Sequence, residues 1–176
     1  MVTWLVRPDK NNPEKGSIIG PDFHALCSLG RGGLIEEKQK IESDKKTPIG
    51  QYPFRKLYYR ADRLEKPACV LPTIMLEPTM GWCDDPAHPR YNQEIAFPFD
   101  GGAEKLWRED EVYTLILTIG HNDNPPVSNR GSAIFVHVAR DGLVPTDGCV
   151  ALYKEDLLTF LSRIKANDIL QILPTD

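Results

Sequence analysis

The sequence predicts a mainly β protein, sandwich or barrel-like with mixed sheets, carrying one or two short helices. Three observations carry that prediction. Fifteen prolines and 13 glycines break the chain into short apolar runs of strand length. The clearest run, Tyr113–Ile119, is rich in β-branched and aromatic residues. Only Lys154–Lys165 shows a strong helical period.

In chain order, Ser17–Ile19, His24–Leu29, Gly33–Glu36 and Ala68–Val70 read as strands between turn signals. Ile95–Phe97, Tyr113–Ile119 and Ala133–Val138 follow, and Ile169–Leu173 closes the set. A short helix is expected within Asp100–Arg108, with Ala103–Trp107 as its body. The late helix, 154–165, repeats Leu157, Leu158, Leu161 and Ile164 at helical spacing, and Glu155 and Asp156 suit the positive end of its dipole. No repeat and no shift of composition marks a boundary, so residues 1–176 read as a single domain.

Hydrophobic residues make up 41% of the chain, enough for a real core. The net charge is −4, and no basic block or stripe appears, which argues against a nucleic-acid partner. No apolar run approaches the ~18 residues of a membrane span. The opening Met1–Lys10 lacks the apolar core of a secretion signal, so a cytoplasmic location is expected, or a periplasmic one if a leader has been removed. In that setting Cys27, Cys69, Cys83 and Cys149 read as free thiols. The spacing of Cys69, Cys83 and His88 fits no compact zinc pattern, and neither metal nor cofactor is expected.

The chemistry concentrates late in the chain. His137 ends the apolar run Ser132–Val136, and Cys149 follows twelve residues later in Thr146-Asp147-Gly148-Cys149. A thiol attacks as its thiolate, and a free cysteine is mostly protonated at neutral pH. A neighbouring histidine removes that obstacle. The Asp141-Gly142 turn and Pro145 place the two residues on adjacent strand ends joined by a loop. Gly148 allows a close approach, and the Gly148 and Cys149 amides are candidates for an oxyanion site. Thr146 is a candidate for bonding the oxyanion or the histidine, or for shaping the turn.

Ile134-Phe135-Val136-His137 with Thr146-Asp147-Gly148-Cys149-Val150-Ala151 resembles the signature of the L,D-transpeptidase (YkuD) family, a histidine, a loop, then Ser/Thr-x-Gly-Cys. Lys46-Thr47-Pro48-Ile49-Gly50-Gln51-Tyr52 resembles that domain's Thr-Pro-x-Gly-x-aromatic segment. Gly81–Pro86, Tyr91-Asn92 and Gly131–Phe135 look like a short, divergent branch of it. The resemblance implies a YkuD-type β fold and a cysteine enzyme of peptidoglycan stem peptides. Cys149 would attack the L,D bond between a diaminopimelate-like third residue and the D-alanine in fourth position, with His137 as base and then acid.

The sequence departs from the family at two places. Asp147 stands where most members carry His, and Ala151 where they carry Arg or Asn. Arg60, Arg63 and Arg108 are candidates to replace that cation, since a guanidinium suits a terminal carboxylate. Asp84 is a candidate for a free amine of the substrate, or a turn former. Trp82 and Asn92, in the resembling segments, and His121, in the loop after the best strand, complete the expected substrate contacts.

The expected activity is therefore acyl transfer through Cys149, with water as acceptor (an L,D-carboxypeptidase acting on muropeptides). The alternatives are an amine acceptor, giving cross-links, and a non-catalytic muropeptide-binding module.

Overall fold

The computed structural model describes residues 1–175. Thirteen strands and one α-helix follow in order. They are β1 (Thr3–Pro8), β2 (Lys15–Gly20), β3 (Phe23–Ser28), β4 (Leu34–Glu36), β5 (Thr47–Tyr59), β6 (Thr73–Met75), β7 (Met80–Cys83), β8 (Glu94–Ala96) and β9 (Ala103–Lys105). After them come β10 (Leu115–Ile119), β11 (Phe135–Val138), β12 (Val150–Leu152), α1 (Lys154–Arg163) and β13 (Ile169–Ile172). The expected mainly β class and the late helix are both present.

The large sheet closes on itself. Its path runs β10-β11-β12-β3-β2-β1-β13-β5, and β5 returns to pair with β10. Closure removes free edges, which a flat sheet would expose to other chains. The long strand β5 makes this possible: residues 50–53 pair with β13, and residues 54–59 pair with β10. Two short strands, β4 and β6, pair parallel to its two ends.

Period-two alternation sets the barrel interior. On β1, Trp4 and Val6 point in; on β3, Phe23, Ala25 and Cys27 do. β10 is buried along its whole length because both its faces are covered. Leu115, Leu117 and Ile119 enter the main core, and Ile116 enters a second, outer cluster. Helix α1 packs onto the main core. Its Phe160 meets the rings of Trp4, Phe23 and Phe54 at 4.8, 5.7 and 5.7 Å between centroids.

A small sheet, β8-β7-β9, is separate from the barrel strands. Trp82 of β7 meets Phe135 of β11 edge-to-face at 5.0 Å. The outer cluster of Tyr58, Ile116, Phe135 and Cys149, joined by Trp82 and Met80, packs the two sheets together. The site lies along this seam.

Two expected elements are absent. Asp100–Arg108 is not helical; Ala103–Lys105 forms β9, with Glu104 opposite Trp82 of β7. The Gly101-Gly102 start disfavours a helix, and pairing with β7 decides the outcome. Ala68–Val70 is irregular chain rather than strand. Pro67 and Pro72 bracket it, and neither can donate to a ladder. Conversely β1, β5, β6, β7 and β12 have no counterpart among the expected strands. In β5 the prolines Pro48 and Pro53 disguise a strand of 13 residues.

Candidate active site

Strands β11 and β12 lie side by side and parallel, with Val136 opposite Val150 and His137 opposite Ala151. The pleat sends Val136, Val138, Val150 and Leu152 into the barrel core. Phe135, His137, Cys149 and Ala151 therefore face outward together. His137 and Cys149 end on one face because a thirteen-residue connection, including both, links parallel neighbours.

A tight turn delivers the cysteine. The Thr146 hydroxyl donates to the Cys149 carbonyl at 2.7 Å and accepts from the Gly148 N–H at 3.1 Å. Backbone bonds to Leu29 and Arg31, both 2.9 Å, tie Thr146 to the end of β3. Gly148 has φ +132°, and a Cβ there would lie 2.9 Å from the Lys46 carbonyl oxygen. Only glycine fits both constraints. Thr146 thus shapes the turn, with its hydroxyl hydrogen spent on the Cys149 carbonyl, and it also lines the cleft beside Cys149. The Gly148 N–H is likewise taken by Thr146, which leaves the Cys149 N–H as the turn's amide at the nucleophile.

Cys149 is 8% exposed and His137 6%. The thiol donates to the Ala133 carbonyl at 3.2 Å, and the Phe135 N–H donates to the sulfur at 3.3 Å. His137 Nδ1 lies 2.9 Å from the Val138 carbonyl. A carbonyl only accepts, so Nδ1 carries the proton and Nε2 is the basic nitrogen. That carbonyl is the group orienting His137. Burial pushes the thiol up to about 12, against the Phe135 hydrogen bond, and the charges of Glu104 and Asp147 add to it. Burial also lowers His137 to about 4. The resting pair is a neutral thiol beside a neutral imidazole.

The pair opens on a cleft of about 290 Å³. Arg31, Lys40, Lys45, Arg108 and Arg140 bring positive charge to its lining, and Glu42, Asp84, Glu104 and Asp147 negative charge. Of these, only Arg108 and Asp84 are substrate contacts expected from the sequence. Arg108 holds Asp110 through two bonds of 2.7 Å and lies 5.3 Å above the Tyr113 ring. Lys40 is 2% exposed, pairs with Asp44, and its charge eases ionisation of Cys149. Asp147, two residues before the cysteine, pairs with Arg31 at 2.8 Å. Ala151 is buried and lies opposite His137 on the neighbouring strand.

The other expected substrate contacts lie elsewhere. Arg60 is buried, bonded to Asp62 and the Arg108 carbonyl, and stacked 3.5 Å above Trp107. Arg63 binds the carbonyls of Arg108, Glu109 and Asp110. Both arginines anchor the 108–114 loop, because unpaired carbonyls there demand donors. Trp82, Asn92 and His121 line a second, mostly apolar cavity of about 270 Å³. Asn92 accepts from Trp82 Nε1 and the Ala133 N–H and donates to the His121 and Asn122 carbonyls, so it braces the loop behind the nucleophile. His121 Nε2 donates to the Arg130 carbonyl.

All four cysteines are free. Among the described residues no group of three or more His, Cys, Asp or Glu is placed to hold a metal ion. The residues that sequence reasoning misses, Glu104 and Tyr113 above all, sit near Cys149 through the packing of the small sheet. No local signal marks them.

No curated protein and no solved structure matches the chain. The family model of the L,D-transpeptidase catalytic domain, YkuD, matches residues 4–172 of the 176. The chain therefore belongs to the L,D-transpeptidase (YkuD) catalytic-domain family, whose members are typically cysteine-dependent and modify peptidoglycan.

Proposed function

We propose that the protein is an L,D-carboxypeptidase of peptidoglycan stem peptides, working through a Cys149 acyl-enzyme with water as acceptor. The observation that carries this reading is the shared outward face of β11 and β12, which sets His137 beside Cys149 at the floor of a charged cleft.

As the sulfur attacks the carbonyl of the third stem residue, His137 Nε2 takes the thiol proton. The neutral resting pair makes this a general-base step, with proton loss and S–C bond formation coupled. The Phe135 N–H, already on the sulfur, favours the charge that builds there. The Cys149 N–H is available to the oxyanion. The tetrahedral intermediate collapses, the C–N bond breaks, and D-alanine leaves with the proton from His137. Water then attacks the thioester, His137 taking its proton, and the thiol departs reprotonated with the tripeptide released.

Charges of both signs in the cleft suit a zwitterionic stem end. A cleft near the lower end of the usual range for ligand sites accommodates one stem, and water needs no second one. An amine acceptor would give a cross-linked dimer from the same acyl-enzyme. Mass spectrometry of tetrapeptide muropeptides incubated with the protein separates the outcomes. Tripeptide and free D-alanine support the proposal, and a dimer supports the transpeptidase. Binding without either product, unchanged in Cys149→Ala, sinks the catalytic reading. We further propose that the substrates met in the cell are soluble muropeptides, which comparison of muropeptide pools with and without the protein tests.

A further inference from the structure

Glu104 stands on β9 of the small sheet and reaches across the seam to the barrel. Both its carboxylate oxygens accept from the Tyr113 hydroxyl, at 3.1 and 3.2 Å. The Tyr113 ring meets the His137 imidazole edge-to-face at 5.5 Å and 77°. It meets the Phe135 ring at 6.1 Å and 69°. Phe135 is the residue whose N–H holds the Cys149 sulfur. One carboxylate is thus tied, through one phenol, to the surroundings of both the base and the nucleophile.

The tie acts on position and on charge. A phenol has a single O–H, so a fixed acceptor fixes the ring's position. The ring then acts as a wall for the imidazole, whose Nδ1 is held by the Val138 carbonyl. Two supports of different kinds define where Nε2 points. On the electrostatic side, the cation stacked on this phenol, Arg108, is clamped by Asp110. The other charged groups facing Glu104 are Asp84 and Glu42, both acidic. An ionised Glu104 therefore opposes negative charge on Cys149. Burial, reinforced by Asp84 and Glu42 and offset by the Tyr113 bond and Arg108, lifts the carboxyl to about 7.

We propose that Glu104 is a positioning residue for the Cys149–His137 pair, acting through the Tyr113 phenol, and that its charge state sets how readily Cys149 takes on negative charge. The proposal rests on the acyl-transfer reading above. At about pH 5.5, where Glu104 is uncharged, Glu104→Ala and Tyr113→Phe each lower kcat about tenfold with KM within about twofold, a loss typical of one misaligned contact. The double variant Glu104→Ala/Tyr113→Phe is no slower than the slower single, because both break the same tie. Glu104→Gln keeps an acceptor for the phenol and so retains kcat at acidic pH. It loses the decline that wild type shows as pH rises through neutrality, where Glu104 becomes an anion.

Additive losses, or a Glu104→Gln pH profile superimposable on wild type, overturn the proposal. Circular dichroism melting curves exclude an unfolded variant as the cause. Alkylation of Cys149 by iodoacetamide, followed by peptide mass spectrometry, keeps the proposal separable from the substrate assignment. At pH 8 Glu104→Gln alkylates roughly tenfold faster than wild type if the charge acts as stated. Equal rates refute that charge effect even if no stem peptide is ever turned over. Faster alkylation with no D-alanine release from wild type points to the substrate assignment as the failure.

Discussion

The Cys149 thiol donates its hydrogen bond to the Ala133 carbonyl at 3.2 Å, not to His137. Ala133 itself has φ +53° and is held by Asn92, so the carbonyl is presented by a braced, strained turn. The resting nucleophile is therefore parked. In the proposed mechanism the thiol turns from that carbonyl toward Nε2 before attack.

A parked, buried thiol makes the first prediction. With the thiol pushed up to about 12 and His137 down to about 4, no ion pair protects reactivity at neutral pH. Alkylation of free Cys149 should rise about tenfold per pH unit between about pH 9 and 10, as the thiolate fraction does, and less steeply from about pH 7 to 8, where Glu104 is still ionising. Turnover should behave differently. His137 stays unprotonated as pH falls until it approaches its lowered value, so the acidic limb of kcat/KM lies near pH 4 rather than near 6.5. Stopped assays of D-alanine release from about pH 3.5 to 9 read this limb directly. A limb at 6.5 means the imidazole is hydrated in the working enzyme.

Gly148→Ala should cripple the protein through backbone strain alone. The added Cβ meets the Lys46 carbonyl oxygen at 2.9 Å and Ile134 Cδ1 at 3.0 Å, at a φ that side chains rarely adopt. Strain of about 1–3 kcal/mol is expected. The turn that carries Cys149 should shift with it, so D-alanine release falls at least about tenfold. Urea unfolding measures the first loss, and single-turnover kinetics the second. A fully stable, fully active variant means the turn can be built without its glycine.

Part of this site is legible in the chain and part is not. His137 and Cys149 can be paired because turn residues between them leave two strand ends to meet. Asp84 and Arg108, singled out by residue type, line the cleft that holds Cys149. Trp82, Asn92 and His121 line the neighbouring cavity beyond Ile134 and Phe135, a placement set by strand pairing and not by sequence spacing. Arg60 and Arg63 look like free guanidiniums, yet the 108–114 loop needs donors for its carbonyls and takes both. Glu104 and Tyr113 escape a sequence reading for a topological reason. Nine residues separate them, but their contact exists only because β9 pairs with β7 and the small sheet meets the barrel. Reading 100–108 as helix hides Glu104 further. Closure of the barrel is equally hidden, since β5 carries prolines near its start and in its middle.

Asp147, two residues before the nucleophile, should matter for its reactivity more than for stability. Its pair with Arg31 is well exposed, at 48% and 70%, so Asp147→Asn should change stability by under about 1 kcal/mol. The Asp147 charge raises Cys149, although less than burial does. Removing it should speed alkylation of Cys149 by about two- to threefold at pH 8. Matching thermal melts with an unaltered alkylation rate contradict the electrostatic role.

Asp168 is the buried charge on which the barrel's closing strand depends, and it makes the prediction about acid stability. It is 1% exposed and accepts from the Val2 N–H at 2.7 Å, Trp4 Nε1 at 3.1 Å and the Lys165 N–H at 2.9 Å. These bonds lock the β1–β13 pairing, since Ile169 follows directly and bonds the Val2 carbonyl. Burial alone would raise its carboxyl, but the bonds from Trp4, Val2 and Lys165 together leave it below the usual 3.8. A lowered folded-state value means the stabilisation is complete above the unfolded value of about 3.9 and is lost as pH falls through the folded one. Asp168→Ala leaves the Trp4 indole N–H buried without its acceptor and should destabilise by about 2–3 kcal/mol at pH 7. The deficit should shrink as pH drops below about 4, where wild type loses the same charge. Urea midpoints of both proteins at about pH 7 and pH 3 measure it, and a deficit that stays constant between them contradicts the charge as its source.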